Sequence, residues 1–242
     1  MRALVLGHSF IRRLRDWMRV NGRVMRHGNL DVHLHGVGGR TVPQVYHLDM
    51  QLVERISPDV ILLQLGGNDI NDTTSASDVL VKLKRLITVL REKHPDSIII
   101  VASIFCRRRP RGLSSRSYDR KKKRVNKFLL KEFGAFEQGK KVFFFSHKFF
   151  KEKHFDRDGV HLNDDGNRCF YHSIFSALRL VLWCTAASFL FRLVQIGYLL
   201  ADLCCWPYHP VKTAFFKATK WLEKMPLLQC RNLLHEEKKI TQ

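Results

Sequence analysis

Three features of the 242-residue chain predict an α/β fold of three layers, with helices on both faces of a five-stranded parallel sheet. Short apolar runs alternate with stretches of helical periodicity at the spacing of βαβ units, which implies right-handed crossovers between parallel strands. The run from Asp59 to Leu65 is nearly continuous in apolar residues, as a central strand covered on both faces requires. Polar or glycine-rich stretches close several of the runs, and in such a sheet the loops leaving the carboxyl ends of the strands share one edge. The expected strand order is 2-1-3-4-5.

Taken in order, Arg2 to Leu6 reads as a buried first strand, and Gly7 permits a sharp turn after it. Phe10, Ile11, Leu14, Trp17 and Met18 give the next stretch helical spacing. Leu30 to His35 alternates as a second strand and ends in Gly36-Val-Gly-Gly39. Val42 to Ile56 carries one helical pattern. The third strand, Asp59 to Leu65, ends in Gly66-Gly67-Asn68-Asp69, and a helix follows over Ala76 to His94. Ser97 to Phe105 is the fourth strand, Ser117 to Phe133 a helix with a very basic start, and Lys141 to Phe145 the fifth strand. Asp164 to Leu178 closes the unit, so residues 1–178 are expected to form one domain with a flavodoxin-like sheet. Residues 179–242 form an extension.

The net charge of +20 favours polyanions such as nucleic acid, an acidic membrane surface or an acidic polymer, without choosing among them. The six cysteines show neither a CxxC pair nor a framework spacing, and read as free thiols of a reducing compartment. The first strand begins at once, with no signal peptide before it, which gives an intracellular expectation.

Four stretches fall on the carboxyl edge of the expected sheet: Gly7-His8-Ser9, Gly38-Gly39-Arg40-Thr41, Gly66-Gly67-Asn68-Asp69 and Asp158-Gly159-Val160-His161. Each residue type suits a role in acyl transfer. Ser9, between a strand and a helix N-terminus, has the place of a nucleophile; the bland reading makes it a helix cap. His161 suits the general base, and Asp158, three residues earlier, the group that holds its other ring nitrogen. The backbone N–H groups of Ser9 and Gly39 and the side-chain amide of Asn68 suit an oxyanion hole.

Together the four blocks resemble the SGNH (GDSL-type) hydrolase superfamily, named for its Ser, Gly, Asn and His. Here these match Ser9, Gly39, Asn68 and His161, with Asp158 completing the triad. The resemblance covers about three quarters of the chain and implies metal-independent hydrolysis of esters, acetyl groups, thioesters or lipids; a small ester or acetylated substrate and no cofactor are expected. The Gly-His-Ser variant also resembles esterase-like domains of animal transposable-element proteins. His8 stands where the family usually has aspartate, and it brings a donor and a titratable charge to the loop that carries Ser9.

Other features carry competing readings. His33 and His35 alternate on a strand without a third ligand, so no metal site is expected. Arg107, Arg108 and Arg109, with Lys121, Lys122 and Lys123, read either as solvated charge or as contacts to nucleic acid or another polyanion. The loop with Arg107 leaves the fourth strand at the same edge, so it also suits the selection of acidic substrates. The alternative to an esterase is a catalytically weak domain of this fold that binds nucleic acid in a mobile-element-derived protein. Residues 180–201 are apolar on all sides apart from Arg192 and Gln195, about the length that crosses a bilayer. They read as a membrane-associated helix, with packing against the domain as the soluble alternative.

Overall fold

The computed structural model describes residues 1–181 apart from 28, 135–139 and 149; the side chain of residue 27 is also outside the description. Residues Met1–Val181 form one compact unit. The expected membrane-associated segment, 180–201, lies outside the described residues beyond Val181. Among the described residues no helix is long and apolar enough to cross a membrane.

Strand β1 (Arg2–Gly7) leads into helix α1 (Ser9–Val20). Strands β2 (Arg26–His27) and β3 (Leu30–Gly36) follow, then helices α2 (Val42–Leu48) and α3 (Met50–Ile56). Next come β4 (Val60–Gln64), α4 (Ala76–Lys93), β5 (Ile98–Ala102), α5 (Ser115–Phe133) and β6 (Val142–Phe145). A final helix, α6, is helical from residue 164 to 181. The sheet order is β2-β3-β1-β4-β5-β6. Its five parallel strands, β3-β1-β4-β5-β6, have the 2-1-3-4-5 order the sequence predicts.

The central strands are apolar because both faces are covered. Every residue of β4 and of β5 is buried, and so is all of β1 beyond Arg2. One side of this sheet meets α2 to α5 through Leu4, Leu6, Leu63, Leu83, Leu86 and Leu129. A Cβ on Gly7 would overlap the side chain of Ile11, so only glycine lets α1 turn back so closely after β1.

Two local features differ from the sequence expectation. The two-residue strand β2 pairs antiparallel with β3, through Arg26 with Asp31 and His27 with Leu30. The single helix expected over 42–56 is two helices that meet at Asp49. Asp49 is buried at that junction, where its Oδ1 accepts from Arg40 Nη2 at 2.9 Å and lies 3.1 Å from His35 Nε2. A carboxylate held from outside the helix fixes the break, and helical periodicity alone does not show it.

Candidate active site

Ser9 is the first residue of α1, directly past the turn after β1, and it is buried with 7% exposure. At this position a helix leaves its backbone N–H without an intrahelical partner. Neither the N–H of Ser9 nor that of Gly39 has a backbone partner among the described residues. Gly39 sits at φ +75° in the turn after β3, where Arg40 N–H donates to the carbonyl of Val37 at 3.3 Å.

His161 reaches Ser9 across 152 residues of sequence, with Nε2 2.9 Å from Ser9 Oγ. Its Nδ1 lies 2.6 Å from Asp158 Oδ2. Ionised Asp158 can only accept, so the proton sits on Nδ1 and the lone pair of Nε2 faces the serine hydroxyl. Asp158 Oδ1 also accepts the backbone N–H groups of Val160 and His161, both at 2.8 Å. Partial burial pushes this carboxyl up, but the hydrogen bonds from the His161 ring and from the two backbone N–H groups outweigh it and hold its pKa at about 2. The turn is closed at its base by a bridge between Phe155 and Leu162 and by Asp156 N–H donating to His161 O at 2.8 Å. The Phe10 ring lies 5.9 Å from the His161 ring and limits its movement.

The side chain of Asn68 is fixed at both ends. Its Nδ2 donates to the carbonyl of Arg40 at 2.9 Å, and its Oδ1 accepts from Arg107 Nη2 at 2.7 Å. A carbonyl only accepts and a guanidinium only donates, so the amide has one possible orientation. One N–H of Nδ2 is taken by Arg40, and the second remains to donate elsewhere. The neighbouring Asp69 carboxylate accepts Val42 N–H at 3.1 and 3.2 Å, which ties this loop to the start of α2. Burial raises the pKa of Asp69 against the opposing effects of Val42 N–H and Lys82.

His8, the departure from the family pattern, is buried and stacks edge-on to Phe10 with ring centres 5.2 Å apart. Burial first, and then the charges of Arg107 and His161, lower its pKa to about 3. It is therefore neutral near pH 7 and brings no charge to the serine turn. Its Nδ1 is buried without a hydrogen-bond partner.

The structure thus brings Ser9, His161 and Asp158 into one hydrogen-bonded chain. It also links the Gly39 turn to Asn68 through the Arg40 carbonyl. His33 and His35 lie beside carboxylates instead, 3.2 Å from Asp31 and 3.1 Å from Asp49, and no cluster suited to a metal occurs among the described residues.

The basic residues read as polyanion contacts mostly have partners within the chain. Arg107 holds Asn68, Arg108 pairs with Glu152, and Lys121 donates to the carbonyls of Asn71, Asp72 and Thr74. Lys122 and Lys123 share Asp119 at 2.7 and 2.9 Å. Arg109 alone of the six has neither an ion pair nor a side-chain hydrogen bond among the described residues. The hold of Arg107 on Asn68 is a contact of the candidate site that the sequence does not reveal. Its only signal there is the position of Arg107 just past a strand end on the active edge.

The model of the GDSL-like lipase/acylhydrolase family matches residues 5–169. No curated protein matches the sequence. Among solved structures, the fold is similar to that of a carbohydrate esterase family 3 protein from Talaromyces cellulolyticus, with TM-score 0.57, 16% identity, and 77% of this chain and 99% of that one covered. It is also similar to a GDSL-like lipase from Bacteroides thetaiotaomicron, with TM-score 0.55, 14% identity and coverage of 74% and 88%. A family 3 carbohydrate esterase from Clostridium thermocellum gives TM-score 0.50, 19% identity and coverage of 74% and 98%.

Proposed function

Because this chain belongs to the GDSL-like lipase/acylhydrolase family, we propose that it is a serine esterase that removes an acetyl or other small acyl group from an alcohol. The observation that carries this reading is the chain from Ser9 Oγ to His161 Nε2 at 2.9 Å and from His161 Nδ1 to Asp158 at 2.6 Å. The carbohydrate esterases among the structural neighbours support an ester substrate.

Ser9 Oγ attacks the ester carbonyl while His161 Nε2 takes its proton. Asp158, ionised down to about pH 2, stabilises the imidazolium that forms. The carbonyl oxygen becomes an oxyanion that accepts from the N–H groups of Ser9 and Gly39 and from the second N–H of Asn68. His161 then protonates the leaving alcohol. Water, deprotonated by the same imidazole, releases the acid and restores Ser9.

The test is hydrolysis of a small chromogenic acetyl ester by the full chain. Ser9→Ala should reduce turnover to background, and a fluorophosphonate probe should label Ser9. Wild type and Ser9→Ala should melt alike, since a single hydroxyl is lost. Activity that survives in Ser9→Ala rejects the mechanism.

A further inference from the structure

The turn that carries Asp158 and His161 also forms one wall of a cleft of about 400 Å³. The other wall is the start of the basic loop after β5, at Arg108 and Arg109. The two walls are fixed to each other. Arg108 N–H donates to Gly159 O at 2.7 Å, and Arg109 N–H approaches the same oxygen at 3.4 Å. Gly159 has φ +68°, and a Cβ there would lie 3.1 Å from Arg108 Cβ and 3.2 Å from Arg109 Cγ. Only glycine fits so tight a clamp, one residue away from Asp158.

The charges lining the cleft do not cancel. Glu152 is paired with Arg108, and Asp156 lies 3.7 Å from Arg13. Arg109, Lys153 and Arg157 also line the cleft, and none of them has an ion-pair partner among the described residues. Three free cations thus surround one opening, with the buried Phe155 ring contributing apolar surface. Two arginines and a lysine without ion-pair partners among the residues that line a concave site suit a phosphate, sulfate or carboxylate, and Phe155 suits the body that carries it. The backbone of the basic wall continues directly into Arg107, which grips Asn68. Along the chain, the two walls of the cleft are thus one residue from Asp158 and one residue from Arg107.

We propose that this cleft binds an anionic group on the substrate of the Ser9 site, so that the preferred esters carry a negative charge outside the bond that is cleaved. This rests on the serine-esterase reading and names the substrate class for it.

The experiment gives the full chain two acetyl esters, one neutral and one bearing a carboxylate on the leaving group. Their kcat/KM ratio is measured against sodium chloride concentration in wild type and in the triple variant Arg109→Gln, Lys153→Gln, Arg157→Gln. In wild type the ratio should favour the anionic ester and decline as salt screens the cations. The triple variant should lower that ratio about tenfold, chiefly through KM, and flatten its salt dependence. Arg157→Glu in place of Arg157→Gln in the triple variant should lower it further. Inorganic phosphate gives a readout that does not need turnover: wild type should bind it with salt-sensitive affinity, and the triple variant should not. Equal ratios in wild type and triple variant overturn the proposal. If neither ester is cleaved while phosphate still binds wild type and not the variant, the serine mechanism fails and the anion site stands.

Discussion

The segments Arg107–Arg109 and Lys121–Lys123 are alike as strings of charge and differ in what they do. Lys121–Lys123 lies on α5, where helical geometry sends Lys122 and Lys123 to Asp119 at i,i+3 and i,i+4 spacing. Lys121 caps the loop after Asn68, with carbonyls at 2.6, 3.2 and 2.6 Å from its Nζ. Arg107–Arg109 lies on a loop that clamps Gly159, so its first guanidinium meets Asn68 from 39 residues away. That guanidinium has no carboxylate partner among the described residues, and its Nε is buried without a hydrogen bond. On the helix two of the three charges go to a near neighbour, Asp119, and the third to backbone carbonyls, whereas the anchored loop brings a guanidinium to the side chain of Asn68. Net charge alone does not distinguish the two.

Arg107→Gln tests the difference most directly. Loss of the charge-assisted bond to Asn68 should lower kcat about ten- to a hundredfold with little change in KM, somewhat less than removal of a whole oxyanion donor. Arg107→Lys should recover part of the loss. Steady-state kinetics that match wild type would erase the functional side of the comparison.

Lys121→Met should act on stability. It leaves three carbonyls without their shared donor, and we expect a loss of about 1–3 kcal/mol, read by urea denaturation. If it lowers kcat as strongly as Arg107→Gln while the denaturation midpoint stays put, the two segments do not divide as described.

The pH dependence of stability sharpens the contrast further. Burial holds His147 at about 3, and burial, Arg107 and His161 hold His8 at about 3, against 6.5 for a free imidazole. Below pH 6.5 the unfolded chain takes up protons that the folded chain refuses until about pH 3. Stability should therefore be at its full value above pH 6.5 and fall as the pH drops towards 3. Arg107→Gln removes one of the charges that depress His8, so denaturation midpoints taken across this range should fall less steeply. An unchanged slope would detach Arg107 from His8. The smallest effect is expected at Lys123, whose side chain is 74% exposed. Lys123→Gln should leave melting, turnover and the acid slope as in wild type.

Much of this was legible in the sequence because it depends on local pattern. Continuous apolar runs mark the parallel strands, and the strand order follows by analogy with flavodoxin-like sheets. Gly7-x-Ser9 and Asp158-x-x-His161 are short local patterns that the family resemblance joins, and the structure brings their Ser9, Asp158 and His161 within hydrogen-bond reach. What stayed hidden depends on partners distant in sequence. The break at Asp49 is set by Arg40 and His35. The neutrality of His8 comes from burial, and the task of Arg107 from the path of a loop. Strand β2 has two residues, too few to show a period.

The placement of Asp158 and His161 on a single turn has a consequence for how the chain acquires its site. Asp158 and His161, the proposed orienter and base, are three residues apart and can pair as soon as their turn closes, at little loop-closure cost. Ser9 and Asn68 are ordered by strands β1 and β4, which lie side by side. Only the contact from His161 to Ser9 spans 152 residues, nearly the whole folded unit. Such long-range closure is the slow kind. During refolding, the return of catalytic power would report the last docking of the C-terminal turn onto a sheet already assembled.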